Sequence, residues 1–141
     1  MGEAELELIG RGMGLVDDGD IPSLLELVHP EIEWRPPAQG TLDDVYAGPD
    51  GVRRLFEQLT EAWDSIEHRP IEVVAVNPET TVIITNLRLH AQASGLTVDE
   101  VWAYGVEVRD RKLFRVTMHT DVEQAIRAHG AESRPRRKWP L

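Results

Sequence analysis

Gly48-Pro49-Asp50-Gly51-Val52-Arg53-Arg54-Leu55-Phe56 opens the most clearly patterned helix of the chain. Proline suits the first position of a helix, and Asp50 in the first turn complements the helix dipole. Val52, Leu55, Phe56, Leu59, Trp63 and Ile66 then recur at i, i+3, i+4, i+7, i+11 and i+14 along one apolar face. Arg53, Arg54, Glu57, Gln58 and Glu61 occupy the other side. From Ile71 the period changes to two and holds, turn by turn, to Thr120. A helix followed by a long run of strands places a mostly antiparallel sheet against the helices, an α+β arrangement.

Upstream of that stretch, residues 4–17 set Leu6, Ile9, Met13 and Val16 at helical spacing, interrupted by Gly10, Gly12 and Gly14. Each glycine weakens a helix by about 1 kcal/mol relative to alanine. Three of them imply close packing against another element or an opening into a cavity. Asp17-Asp18-Gly19-Asp20 ends this helix. Pro22 suits the first turn of a second, with Ile21, Leu24, Leu25 and Val28 as its buried face. His29-Pro30 stops it. Ile32 and Trp34 alternate with charged residues as a half-exposed strand, which Pro36-Pro37 ends. Residues 38–47 are expected to form a loop covering one end of the cup that the sheet and helices enclose.

Downstream, Val73, Val74 and Val76 lead to the turn Asn77-Pro78-Glu79. The next strand puts Ile83, Leu87 and Leu89 on one face and Asn86, Arg88 and His90 on the other. After Ser94-Gly95, a strand sends Trp102, Tyr104, Val106 and Val108 to a single face. Asp110-Arg111 is a tight turn. The last strand is expected to direct Phe114, Val116, Met118 and Thr120 to the matching face, with Arg115, Thr117 and His119 opposite. Asp121 is a good N-cap for a closing helix ended by Gly130. This order wraps a cone-shaped, curved sheet around three N-terminal helices and leaves a blind cup between them. Trp34, Tyr46, Phe56, Trp63, Trp102 and Met118 are the residues expected to line it.

The chain has 141 residues, enough for one domain with a genuine core, expected over residues 1–130. Net charge is −10, unevenly spread. Residues 130–141 carry +3, from four basic residues against Glu132, so the body carries −13. A body that acidic repels a phosphate backbone, which argues against nucleic-acid binding. The Pro-interrupted basic run 131–141 reads as a mobile, solubilising tail. No apolar stretch is long enough for a membrane span and no signal-type segment opens the chain. Cysteine is absent, which excludes disulfides and thiolate chemistry and fits a cytoplasmic location.

Several short motifs occur together: Asp18-Gly19-Asp20, His29-Pro30-Glu31-Ile32-Glu33-Trp34, Tyr46-Ala47-Gly48-Pro49-Asp50-Gly51-Val52-Arg53, Ser94-Gly95, and Asp121 opening a helix that closes on Ala128-His129-Gly130. In this order and spacing, over residues 4–130, the chain resembles the SnoaL-like branch of the nuclear-transport-factor-two-like superfamily, an α+β cone of the cystatin-like type. The resemblance implies a small enzyme without a cofactor, similar to polyketide cyclases or ketosteroid isomerases, doing acid–base chemistry on a hydrophobic, carbonyl-bearing molecule. Alternatives are a binding protein for an apolar metabolite, an epoxide-hydrolase-like enzyme, or an interaction module. Two departures stand out: Asp110-Arg111 where relatives commonly have a glycine, and Val76-Asn77-Pro78 where many carry an acid. The second weakens an epoxide-hydrolase-like acid pair.

Tyr104 is the best-placed donor to a developing enolate oxygen, or else a core tyrosine bonded to backbone or water. His119 and Asp121, at the mouth end of the last strand, match the place where cyclase-like relatives keep an acid/base. Strict alternation, however, sets His119 outside the cup, and Asp121 is explained as a cap. Glu100 shares parity with Trp102 and points either to the rim or to solvent. His29 and His68 have no partners at ligand spacing, and no metal motif is present. Arg88, His90, Arg115 and Thr117 on the outer sheet face are expected to make a homodimer.

Overall fold

The computed structural model describes residues 2–37 and 42–141. The chain runs α1 (Glu3–Asp18), α2 (Ile21–Leu25), β1 (Val28–Arg35), β2 (Tyr46–Ala47), α3 (Gly48–Ala62), β3 (Ser65–Ala75), β4 (Thr80–Ala91), β5 (Leu96–Arg109), β6 (Lys112–His119), α4 (Val122–Ala128) and β7 (Arg137–Lys138). The strands form one sheet in the order β2-β1-β6-β5-β4-β3-β7. Among the described residues only the β1–β6 pairing is parallel. This is the expected α+β architecture. Of the loop expected over 38–47, residues 38–41 lie outside the described residues, and Tyr46–Ala47 form strand β2 instead, paired with Trp34 and Glu33 of β1.

The sheet has an apolar layer on each face. The larger joins α1, α2 and α3 to the inner side chains of β1 and β3–β6, among them Ile83, Leu87, Trp102, Tyr104 and Val116. The smaller lies on the opposite face, where Ala125 and Ile126 of α4 cover Val74, Val82, Ile84 and Ala103. Alternation along β4 and β5 feeds both layers, so consecutive residues Val82, Ile83 and Ile84 are all buried.

Five further details depart from the sequence reading. Helix α2 ends at Leu25, and Val28 already pairs with Leu113 as the first residue of β1. Helix α3 ends at Ala62, Trp63 is extended (φ −127°, ψ 129°), and Ile66 is an inward residue of β3. Strand β3 therefore starts at Ser65, six residues before Ile71, and carries an irregularity between Pro70 and Glu72 that accommodates the proline. In β6 the register shifts opposite Glu107 and Val108, so Leu113 takes the inner place expected for Phe114. Phe114 stacks instead with His29 (5.0 Å, edge-on) and under the Arg109 guanidinium (3.9 Å). Finally, the tail read as mobile adds strand β7 to β3, and Trp139 N–H donates to Ile71 O at 2.9 Å.

The α1 glycines have separate reasons. A Cβ on Gly10 would sit 3.3 Å from the Trp139 ring, and one on Gly12 would touch Leu113 at 3.4 Å. Small residues there let the helix lie close to both.

Candidate active site

Between α1, α3 and the inner face of β3–β6 lies a cavity of about 290 Å³. Its helical wall is Ile9, Gly12, Met13 and Val16 of α1 with Phe56 and Leu59 of α3. The sheet contributes Leu87, Trp102, Val106, Leu113, Val116 and Met118. Trp34 meets Phe56 edge-on at 5.2 Å, and its indole N–H donates to the Met118 sulfur at 3.3 Å. Three polar or ionisable side chains besides the indoles line this greasy space among the described residues: His68, Tyr104 and Glu100.

Two of the three belong to a hydrogen-bonded chain. Asp17, at the end of α1, holds His68 twice: its Oδ2 accepts from the His68 backbone N–H at 2.8 Å, and its Oδ1 lies 2.6 Å from Nδ1. A proton on Nδ1 facing the carboxylate leaves Nε2 unprotonated, and Nε2 accepts the hydrogen bond of the Tyr104 hydroxyl 2.9 Å away. The His68 side chain is 6% exposed and that of Asp17 24%. Burial first, and the nearby Asp17 charge second, push the Tyr104 phenol far above its ordinary range. Tyr104 is therefore held in its protonated, hydrogen-bond-donating form.

Behind this chain a second, outer groove runs between α1, Pro70 and the tail residues Trp139 and Leu141. Met13 and His68 border both hollows, and Asp17 faces the outer one. Met13 and His68 therefore form part of the wall between cup and groove.

Of the residues expected at the site, Trp34, Phe56, Trp63, Trp102, Met118 and Tyr104 line the cavity. Tyr46 does not. It is fully buried outside the cup, where its hydroxyl accepts from Asp43 N–H at 3.0 Å and donates to Gln58. His119 and Asp121 do not meet Tyr104 in the cup either. His119 lies on the opposite sheet face, its Nε2 3.0 Å from Nε2 of His129, and Asp121 caps α4 by accepting from Gln124 N–H at 2.9 Å. Alternation explains the first placement, since no bulge intervenes between Met118 and His119. Burial holds both imidazoles below their ordinary pKa, and proximity to His119 adds to this for His129. The polar row Asn86, Arg88 and His90 is turned away from the cavity, tied to Asp99 and Thr97 through Asn86 and His90. On the same outer face Arg115 is engaged by Glu107 and Glu33.

Asp17 and His68 were the residues that pattern reading missed. Two signals pointed to them. An aspartate in the last turn of a helix opposes the dipole and calls for another reason to be there. His68 shares parity with Ile66 once β3 is started at Ser65.

The family model for the SnoaL-like domain matches residues 11–116, and the chain belongs to that family. An uncharacterized protein of Mycobacterium tuberculosis is 27% identical over 115 residues, 82% of this chain and 87% of that protein. Among solved structures, TerC co-crystallised with polyporic acid is similar at a TM-score of 0.75 and 18% identity, covering 91% of this chain and 99% of that one. A Mycobacterium tuberculosis protein in complex with estradiol-17β-hemisuccinate is similar at 0.73 and 13%, covering 86% and 97%. These likenesses establish a shared nuclear-transport-factor-two-like, cystatin-like fold. No described helix is long and apolar enough to cross a membrane.

Proposed function

We propose that the cup binds a hydrophobic small molecule bearing a carbonyl group, and that Asp17, His68 and Tyr104 carry acid–base chemistry on it without a cofactor. The observation that carries this reading is the Asp17–His68–Tyr104 chain, which delivers two adjacent polar groups into an otherwise apolar hollow. Two relatives of this fold crystallised with polyporic acid and a steroid ester support the ligand class.

The chemistry follows from the side-by-side placement of Nε2 and the phenol. For a ketone entering edge-on, the Tyr104 O–H turns from Nε2 to the ketone oxygen, and the Nε2 lone pair released by that turn faces the α-hydrogen. Nε2 takes the α-proton, and the C–H electron pair becomes the enolate double bond. The carbonyl π electrons move onto oxygen, where the Tyr104 hydroxyl stabilises them. The imidazolium so formed is held by Asp17, and return of the proton to the same or a conjugated carbon gives exchange or isomerisation. A dry pocket strengthens each of these interactions.

Deuterium incorporation into α-tetralone in D₂O, followed by mass spectrometry, tests the reading. The protein is expected to accelerate exchange, His68→Ala to lower it by about 10²-fold or more, and Tyr104→Phe to lower it while retaining binding. Equal exchange by His68→Ala and the parent protein would remove the base. Pure sequestration is the weaker reading because two polar groups converge in the cup. Epoxide opening is weaker still, because Glu100 is the one carboxylate among the described lining residues.

We also propose that the molecule self-associates through the outer face of β3–β5, beyond α4, where Arg88 and Val101 are exposed. Light scattering at micromolar concentration is expected to give a dimer; a monomer overturns it.

A further inference from the structure

The polar groups of the cup sit at two depths. Tyr104 is 5% exposed, near the floor. Glu100 is exposed at the rim, with one carboxylate oxygen accepting from the Trp102 indole N–H at 2.9 Å. Both lie on the inner face of β5, four residues and about 13 Å of strand apart. Trp102 stands between them, and Leu87 faces Glu100 across the β4–β5 ladder. No Lys or Arg lines the cavity among the described residues, and the body of the chain carries a net charge of −13.

We propose that Glu100 is a specificity-determining residue: it selects ligands that carry a hydroxyl or ammonium group at the end remote from the carbonyl, and rejects those carrying a carboxylate, sulfate or phosphate there. The proposal rests on the reading of the cup as the binding site. A donor at the mouth makes a charge-assisted hydrogen bond to the carboxylate oxygen that Trp102 leaves free. An anion at the same place meets a like charge at the edge of a low-dielectric cavity, with no cationic side chain to offset it. The ligand class is thus a flat hydroxy-ketone or amino-ketone of several rings, neutral or cationic, entering carbonyl first. The hemisuccinate carried by the ligand of the mycobacterial relative would be disfavoured here.

Quenching of tryptophan fluorescence by testosterone, its 17-hemisuccinate and the neutral methyl ester of that hemisuccinate tests this, because Trp34, Trp63 and Trp102 line the cup. The methyl ester separates charge from size. The protein is expected to bind the methyl ester about tenfold more tightly than the free acid. Glu100→Gln, whose amide oxygen still accepts from Trp102, is expected to abolish that ratio, and Glu100→Lys to invert it. Equal binding of ester and acid, or a ratio unchanged in Glu100→Gln, overturns the role of Glu100 while the cup reading stands. Failure of all three compounds to bind overturns the cup reading, and this proposal with it.

Discussion

At the scale of single residues, two positions are poised to report on packing. The Thr81 hydroxyl is the one buried side-chain polar atom without a hydrogen-bond partner among the described residues. Thr81→Val keeps the shape and removes the stranded group, so it is expected to raise stability by about 1 kcal/mol in urea unfolding. A loss of stability would mean the hydroxyl is satisfied after all. Gly105 has the opposite character: a Cβ there would fall 2.2 Å from Nε2 of His129. Gly105→Ala must push that ring off the sheet and break its contact with His119, at an expected cost of about 1–3 kcal/mol. The same scale shows what pattern reading can and cannot reach. Tyr104 was legible because strand alternation fixes its face and its neighbours are large and apolar. His68 was not, because Glu67-His68-Arg69-Pro70 has the composition of a loop, and only Asp17, fifty-one residues away, makes burying an imidazole there tolerable.

At the scale of elements, the β5–β6 hairpin turns on Asp110 and Arg111, both left-handed (φ 53° and 61°). Such a two-residue turn favours glycine at its second place. Arg111→Gly is expected to stabilise the fold by up to about 1 kcal/mol, read as a shift in the urea midpoint at constant slope. Helix α4 supplies a pH-dependent element. His119 and His129 titrate below 6.5 in the fold, and near 6.5 in the unfolded chain. Between those values the unfolded chain binds more protons, so stability rises with pH and is lost as pH falls below about 6.5. His129→Gln is expected to flatten the dependence between pH 7 and 5, and an unaltered slope would assign it to other groups. The elements themselves followed from periodicity, whereas their ends did not. Ile66 fits the α3 stripe at i+14 and the β3 alternation equally well, so only pairing with Leu89 decides between them.

The whole molecule is a sheet with two working faces: a hollow one holding α1 and α3, and a filled one covered by α4. The cone was legible from the order of helices and strands. That the cup stays open was less so, since it depends on side-chain volumes across seven elements rather than on any local pattern. A ligand that enters it stabilises the fold by mass action, and at 100 times its dissociation constant the expected gain is about 2.7 kcal/mol. Thermal unfolding with and without a bound hydroxy-ketone measures it, and Tyr104→Phe is expected to retain most of that gain.

Met13 and His68 are the two described residues that border both hollows. Cutting His68 back to glycine is expected to join the two hollows, giving a passage open at the front to a ketone and at the back to the medium beside Asp17. Free imidazole added to such a variant would have its own entrance, so chemical rescue of exchange should persist even when the front is occupied.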